Sequence, residues 1–203
     1  MNEPVNSYIE HIEKKADYLK KLVDDLYLLF WSEAIESEVD MKSVNITEVV
    51  TSLLKEYIQN SKRASEQLDI RLPHGNIWIL AQEKILIRIL CNLIDNALKY
   101  STGDIMFYMW GESEYCHIQI SNPSDYISDE ELKSIFDLFY TKDEARTKSS
   151  GIGLYATRKL VIQISGDIQV NYEAGIFHCQ YKVALNMKKI GHSRKIKDMV
   201  TAF

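Results

Sequence analysis

Apolar residues recur along the chain at helical and strand spacings that divide it into elements. From about Val5 to Ser37, Ile9, Ile12, Ala16, Leu19, Val23, Leu26 and Phe30 alternate steps of three and four, the seam of one long helix. Leu22, Tyr27 and Leu29 widen that seam toward bundle packing, and Glu10, Glu13, Lys14, Lys20, Lys21, Asp24 and Asp25 form a solvated face opposite. Such a seam is expected to pack in a helical bundle, most simply with a second copy, the alternative being the chain's own globular part. Ser37 to Lys42 is charged and aperiodic and reads as a linker. A second helix is predicted from about Ile46 to Ser61, with Val49, Val50, Leu53, Leu54, Tyr57 and Ile58 on its apolar side.

Period-two alternation then takes over. Leu68 to Leu72 and Ile77 to Leu80 read as two strands around the turn Pro73-His74-Gly75-Asn76. A helix follows from about Gln82 to Tyr100, and Ile105 to Trp110 with Tyr115 to Ser121 form a hairpin. Ser128-x-x-Glu131 is a capping box opening a short helix to Asp137. After the polar loop Thr141 to Ser150, Gly151-Ile152-Gly153 leads into a helix ending near Ser165-Gly166. Strands Ile168 to Tyr172 and Phe177 to Met187 close the pattern. Interleaved helices and strands with short strand connections predict an α/β two-layer sandwich, a mixed β-sheet with helices on one face, preceded by the long helix. The expected organisation is the bundle helix at 1–37, a linker at 38–42, a globular domain at 43–187 and a basic tail at 188–203.

Composition narrows the function classes. The 203 residues carry a net charge of -5, which argues against a general nucleic-acid binder. Cys91, Cys116 and Cys179 are scattered, without the spacing of a zinc site or a disulfide scaffold, and fit a reducing cytoplasm. No apolar run reaches the length of a membrane span, and the acidic start is no signal peptide. Basic residues gather locally, at Lys142, Arg146 and Lys148 and in the tail (Lys188, Lys189, Arg194, Lys195, Lys197).

The helix from Gln82 to Tyr100 is apolar on almost every side, yet keeps one polar stripe: Arg88, Asn92, Asp95, Asn96 and Lys99. Buried carboxamides and charges are costly unless a ligand satisfies them. Asparagine offers a neutral carbonyl oxygen, suited to a hard Mg²⁺ already ringed by phosphate oxygens and water. Lys99 adds a point charge for phosphate, and Tyr100 a flat surface for a base. Gly151-Ile152-Gly153-Leu154 supplies permissive backbone and a helix N-terminus, both suited to phosphate. It is neither a P-loop nor a G-x-G-x-x-G dinucleotide fingerprint.

Taken in order, these segments resemble the ATP-binding domain of sensor histidine kinases, within the wider gyrase-like (Bergerat) ATPase superfamily. Asn92-Leu-Ile-Asp-Asn96-Ala-Leu-Lys99-Tyr100-Ser is similar to the family's N box, Ile135-Phe136-Asp137-Leu138-Phe139-Tyr140 to its F box, and Gly151-Ile152-Gly153-Leu154 to its second glycine box. Tyr8 to Leu29 resembles the second helix of the dimerisation and histidine-phosphotransfer hairpin. The resemblance covers about residues 5–187. It implies that Asn96 binds Mg²⁺, that Asn92 contacts phosphate or a metal-bound water, that Lys99 binds phosphate and that Tyr100 packs on adenine. Asn122 falls at the adenine-reading position, with Ile127 following it. Phe136 and Phe139 would anchor a lid running from Tyr140 to Ser150. Lys142, Arg146 and Lys148 would be candidates for the γ-phosphate. Gly151, Ile152, Gly153 and Leu154 would hold the phosphates.

The chain also departs from the family pattern. The Asp-x-Gly-x-Gly box is replaced by Asn122-Pro123-Ser124-Asp125-Tyr126, and Thr141 stands where an Arg follows the F-box Tyr. None of His11, His74, His117, His178 or His192 sits in an H box, so the phosphoacceptor is expected on a first bundle helix absent from this chain. A hydrolase of the gyrase or mismatch-repair type, or an anti-sigma-type serine kinase, is disfavoured because Asn92 stands where their catalytic base is Glu. The resemblance thus implies the catalytic part of a protein histidine kinase. It would take ATP and Mg²⁺ as cofactors and act as a homodimer through its N-terminal helix. A response-regulator receiver domain would be its partner, and the full-length protein would lie in the bacterial membrane with this part in the cytoplasm. The alternative is a non-catalytic dimerising scaffold with a degenerate nucleotide site.

Overall fold

Inward-facing side chains alternate with outward ones along each long strand, and this period sets the layer order of the molecule. The computed structural model describes residues 3–34, 41–142 and 150–187. The tail, the linker residues 38–40, Arg146 and Lys148 lie outside that set, as do the end of the long-helix expectation beyond Ala34 and the side chain of His11. The elements are α1 (Glu3–Ala34), β1 (Lys42–Asn45), α2 (Ile46–Asn60), α3 (Lys62–Gln67), β2 (Leu68–Arg71), β3 (Trp78–Ala81), α4 (Glu83–Tyr100), β4 (Ile105–Glu112) and β5 (Tyr115–Pro123). They continue with α5 (Asp129–Ser134), α6 (Gly153–Gln163), β6 (Asp167–Glu173) and β7 (Ile176–Ala184).

A five-stranded sheet runs in the order β2-β4-β5-β7-β6. Its β2–β4 pair is parallel and the other pairs antiparallel, so the sheet is mixed as expected. Its inner face presents Phe107, Met109, Ile118, Ile120, Cys179 and Tyr181 to the helices, all buried. Helix α4 lays Ile85, Ile89, Leu93 and Ala97, with their neighbours Leu86, Leu90 and Ile94, into this layer. Helix α2 adds Ile46, Val50 and Leu54 at steps of four, and Asn45 caps its first turn by accepting from the Glu48 N–H. The capping box at α5 is formed in both directions between Ser128 and Glu131.

The turn at Pro73 to Asn76 does not close a hairpin. Strand β2 pairs with β4, whereas β3 pairs antiparallel with β1 in a separate two-stranded sheet. That small sheet is tied to the main one by an Ile79–Leu185 bridge and by the Asn186 N–H donating to the Trp78 carbonyl at 2.7 Å. The physical reason is burial. Ile77, Ile79 and Ala81 are covered by the helix layer, and β1 supplies ladder partners for β3 that β2 cannot supply while it lies on the edge of the larger sheet.

Helix α1 packs along α6 and reaches the core through Leu28 and Leu29. Its heptad seam faces away: Ile12, Leu19, Val23 and Phe30 are 61–70% exposed, and Ile9 and Leu26 are also open. The globular part therefore occupies a different face of the helix from the one the heptads mark.

Candidate functional site

A cavity of about 720 Å³ opens between α4, the inner end of β5 and β7, the turn before α6, and α1. All five residues of the polar stripe, Arg88, Asn92, Asp95, Asn96 and Lys99, lie on its wall. The face of α4 opposite the core is thus the face that lines the cavity, which explains how so apolar a helix keeps its polar groups.

Asn92 is fixed by two neighbours. Its Nδ2 donates to the hydroxyl of the fully buried Thr157 on α6 at 2.5 Å. Gly153 packs against its carboxamide so closely that a Cβ there would lie 2.7 Å from Oδ1. Gly151 has φ +71°, and an added Cβ would meet the backbone of Phe139 and Tyr140 at 2.4–2.6 Å. The Phe139 N–H donates to the Gly151 carbonyl at 3.0 Å, joining the two loop ends. Glycine at both positions is therefore dictated by close approach, and at Gly151 also by backbone conformation.

Tyr57 from α2 braces the stripe from behind, donating to the Asp95 carboxylate at 2.8 Å and to the Cys91 carbonyl at 3.3 Å. Burial first, then the nearby Asp95 charge, push the Tyr57 phenol far above its usual range, so it stays a donor. Burial also raises the Cys91 thiol. Lys99 donates to the Tyr100 hydroxyl at 2.9 Å with its ammonium over the ring. On the sheet side, Ile120, Phe177 and Cys179 form an apolar stretch of wall, and Asn122, 4% exposed, sits at its end.

The remaining expected residues divide. Ile127, Lys142, Gly151, Gly153 and Leu154 line the cavity. Lys142 donates to the Tyr126 carbonyl and pairs with Glu131 at 3.8 Å. The Ser128 backbone N–H is the main reason the Glu131 carboxyl lies below its usual value. Ile152 is in the core, and Phe139 is 55% exposed with φ +67°, so neither belongs to the lining. Phe136 is the buried member of its pair, with the Arg158 guanidinium 5.3 Å from its ring centre.

Sequence reasoning missed the contribution of α1. Lys20, Asp24 and Asp25, read as part of a solvated face, line the cavity together with Leu28. Ser150 donates to Asp25 at 2.5 Å and accepts from the Ile152 N–H at 3.2 Å, which ties α1 to the glycine turn. The inconspicuous signal was Leu28: an apolar residue off the heptad seam, one turn past two carboxylates.

Among the described residues no group of three or more His, Cys, Asp or Glu is placed to hold a metal ion. A cation here would have to share ligands with an anionic guest, for which the carboxamide oxygens of Asn92 and Asn96 are the suitable protein donors. Among the described residues no helix is long and apolar enough to cross a membrane.

Comparison with known proteins agrees with this geometry. The family described as histidine kinase-, DNA gyrase B-, and HSP90-like ATPase matches residues 81–188. The sensor protein DltS of Streptococcus agalactiae is 27% identical over 174 residues, covering 84% of this chain and 44% of the relative. The sensor histidine kinase RppB of Synechocystis is 24% identical over 176 residues, covering 84% of this chain and 39% of the relative. The chain thus spans less than half the length of these relatives. Among solved structures, the Acinetobacter baumannii histidine kinase AdeS superposes with a TM-score of 0.68 at 20% identity, over 88% of this chain and 84% of that one. Full-length ShkA in complex with AMPPNP superposes at 0.69 with 22% identity, over 89% of this chain and 38% of that one. At such identities the two structures establish the shared fold.

Proposed function

The chain belongs to the family of histidine kinase-, DNA gyrase B-, and HSP90-like ATPases, and on that premise we propose that it is the catalytic part of a sensor histidine kinase. In this reading it binds Mg·ATP and delivers the γ-phosphoryl group to a histidine on a helix partnering α1. The phosphoryl group then passes to an aspartate of a response-regulator receiver domain. The observation that carries the proposal is that the entire stripe from Arg88 to Lys99 shares one cavity with Gly151, Gly153 and Asn122.

Each residue has a physical role in that reading. Asn96 and Asn92 would offer carbonyl oxygens to the cation at the phosphate end, Asn92 being held in place by Thr157 and Gly153. The cation they would share neutralises charge on the phosphates. Lys99 supplies a positive charge for phosphate, while Tyr100, 42% exposed beside it, offers its ring. The turn at Gly151 lets backbone N–H groups at the start of α6 approach an anion. Asn at position 92 cannot take a proton near neutral pH, which favours transfer to a nucleophile activated elsewhere over water activation at this residue. Dimerisation through the open seam of α1 and membrane attachment of the full-length protein belong to the same proposal.

Calorimetry with a non-hydrolysable ATP analogue, with and without Mg²⁺, tests the binding step. Tight binding that gains from Mg²⁺, and loses that gain in Asn96→Ala, supports it. Label transfer from ATP to a separately supplied H-box helix tests the chemistry. Nucleotide binding without transfer would leave the scaffold reading in its place, and no binding would overturn the proposal.

A further inference from the structure

Strand β5 turns Ile118, Ile120 and Asn122 toward the helix layer in succession, and in the ladder Ile120 faces Cys179 while Asn122 faces Phe177. Ile120, Phe177 and Cys179 give the cavity an apolar stretch of wall carried on two paired strands, and Asn122 ends it. Among the described residues on that wall, Asn122 is the one polar side chain less than a tenth exposed. A lone hydrogen-bonding group in an apolar recess is how a pocket selects a flat, polar-edged guest. On the nucleotide reading above, which this inference rests on, that guest is the base.

A carboxamide carries an acceptor and a donor side by side in one plane. With Oδ1 and Nδ2 in one order it matches the 6-amino group and N1 of adenine. Rotated by half a turn about its last side-chain bond, it matches the 6-oxo group and protonated N1 of hypoxanthine or guanine. An ionised carboxylate has acceptors alone: facing the 6-substituent it accepts from an amino group and repels an oxo group, and it reaches the N1–H of a 6-oxo purine only if the base shifts along the wall. We propose that Asn122 makes this site accept 6-oxo purine nucleoside triphosphates alongside ATP.

The surroundings of Asn122 set how strong the remaining preference is. Nδ2 donates to the Pro123 carbonyl at 3.3 Å, a long contact for an N–H···O bond. The half-turn gives up that bond, and the carboxamide must tilt to keep Oδ1 off the Pro123 carbonyl oxygen. It does not strand the carbonyl, which also accepts from the Thr102 N–H at 2.9 Å. Losing one weak bond of this kind limits the preference for adenine to about tenfold.

The test compares ATP with inosine triphosphate, which bears the 6-oxo group without the 2-amino group of guanine, by calorimetry on the full chain with Mg²⁺ at pH 8. The expected result is an inosine triphosphate affinity within tenfold of that for ATP. Asn122→Asp should keep ATP binding and weaken inosine triphosphate more than 100-fold. Asn122→Ala should weaken both and bring their ratio close to one. Parent protein that binds ATP yet rejects inosine triphosphate by more than 100-fold overturns the inference, whatever the variants do. A ratio unchanged in folded Asn122→Asp overturns it as well. Failure of the parent to bind ATP would instead remove the nucleotide reading itself, and this inference with it.

Discussion

Replacing Gly153 by alanine should separate the stability of this protein from its ligand affinity. The new Cβ would lie 2.7 Å from Asn92 Oδ1, 3.2 Å from Nδ2 and 3.4 Å from Cγ, so the carboxamide has to move. It cannot move freely, because Nδ2 is bound to Thr157 Oγ1 and that hydroxyl is buried. Breaking the bond and leaving a buried hydroxyl unpaired costs about 1–3 kcal/mol. Alanine in place of glycine at the first residue of α6 returns up to about 1 kcal/mol of helix propensity. The net loss of stability is therefore roughly 0–3 kcal/mol. The ligand pays more heavily: a carboxamide turned off the wall forfeits a hydrogen bond to a charged phosphate or its hydrated cation, about 1.5–3 kcal/mol, or roughly 10- to 100-fold in affinity.

Thermal melts and calorimetry with Mg·ATP on the same samples check both numbers. Thr157→Ala provides the control, since it releases Asn92 before the methyl group arrives. In the double variant the added cost of Ala at position 153 should shrink, giving a coupling of about 0.5–3 kcal/mol between the sites. Gly153→Ala that binds nucleotide within twofold of the parent would refute the reasoning. Strictly additive effects would show that Asn92, Gly153 and Thr157 do not act as one unit.

The remaining predictions concern the walls around that unit. Gly151→Ala combines a positive φ with a clash against the Phe139 backbone, so it should open the turn at a strain of about 1–3 kcal/mol, read as faster hydrogen exchange at the Phe139 amide. Asp25→Asn removes a negative charge from the wall of a cavity proposed to take a polyphosphate, worth about 1 kcal/mol at 4 Å in water. Nucleotide affinity should rise about fivefold at low salt, and an unchanged affinity would count against α1 as part of the site. His117 on β5 lies stacked on Trp110, its Nδ1 within 3.2 Å of Gln180 Nε2, and burial followed by a smaller effect of Lys182 lowers its pKa despite the opposing Glu112. The folded state thus binds this proton less readily than the unfolded state, so stability is full above about pH 6.5 and falls as pH drops through the lowered value. Melting temperature should decline between pH 7.5 and 5.5 more steeply in the parent than in His117→Gln, and parallel slopes would refute the assignment.

How much of this site could be read in the sequence depended on whether one element carried the signal. The stripe on α4 was legible because helical spacing fixes which side chains share a face, and a polar side on so apolar a helix has to meet either water or a ligand. The capping box at Ser128 and the hairpins β4–β5 and β6–β7 were legible for the same local reason. Partner choice was not. Alternation in Leu68 to Arg71 shows which residues face inward, but it says nothing about which strand lies alongside, and the Pro73 turn suggested the wrong one. Strand β1, four residues with one buried side chain, carries too little alternation to register. Lys20, Asp24 and Asp25 looked solvated because a helical charge pattern shows that a face is polar and not what it faces.

That misreading bears on how α1 could serve the proposed kinase. A helix with one apolar stripe must choose what the stripe packs against, but α1 has two usable faces. Leu28 and Asp25 engage the globular part, while Ile12, Leu19, Val23 and Phe30 remain open on the heptad seam. Burying a large aliphatic or aromatic side chain gains about 1.5–3 kcal/mol, so covering the exposed seam from Ile9 to Phe30 gives roughly 10 kcal/mol before association costs of about 4–15 kcal/mol. Gain and cost are thus of similar size for one seam, and a second copy of the helix that buries its own seam in the same contact adds a like gain without disturbing Leu28. The two contacts lie on different sides of one rigid element, so bundle packing and the cavity wall can be occupied together.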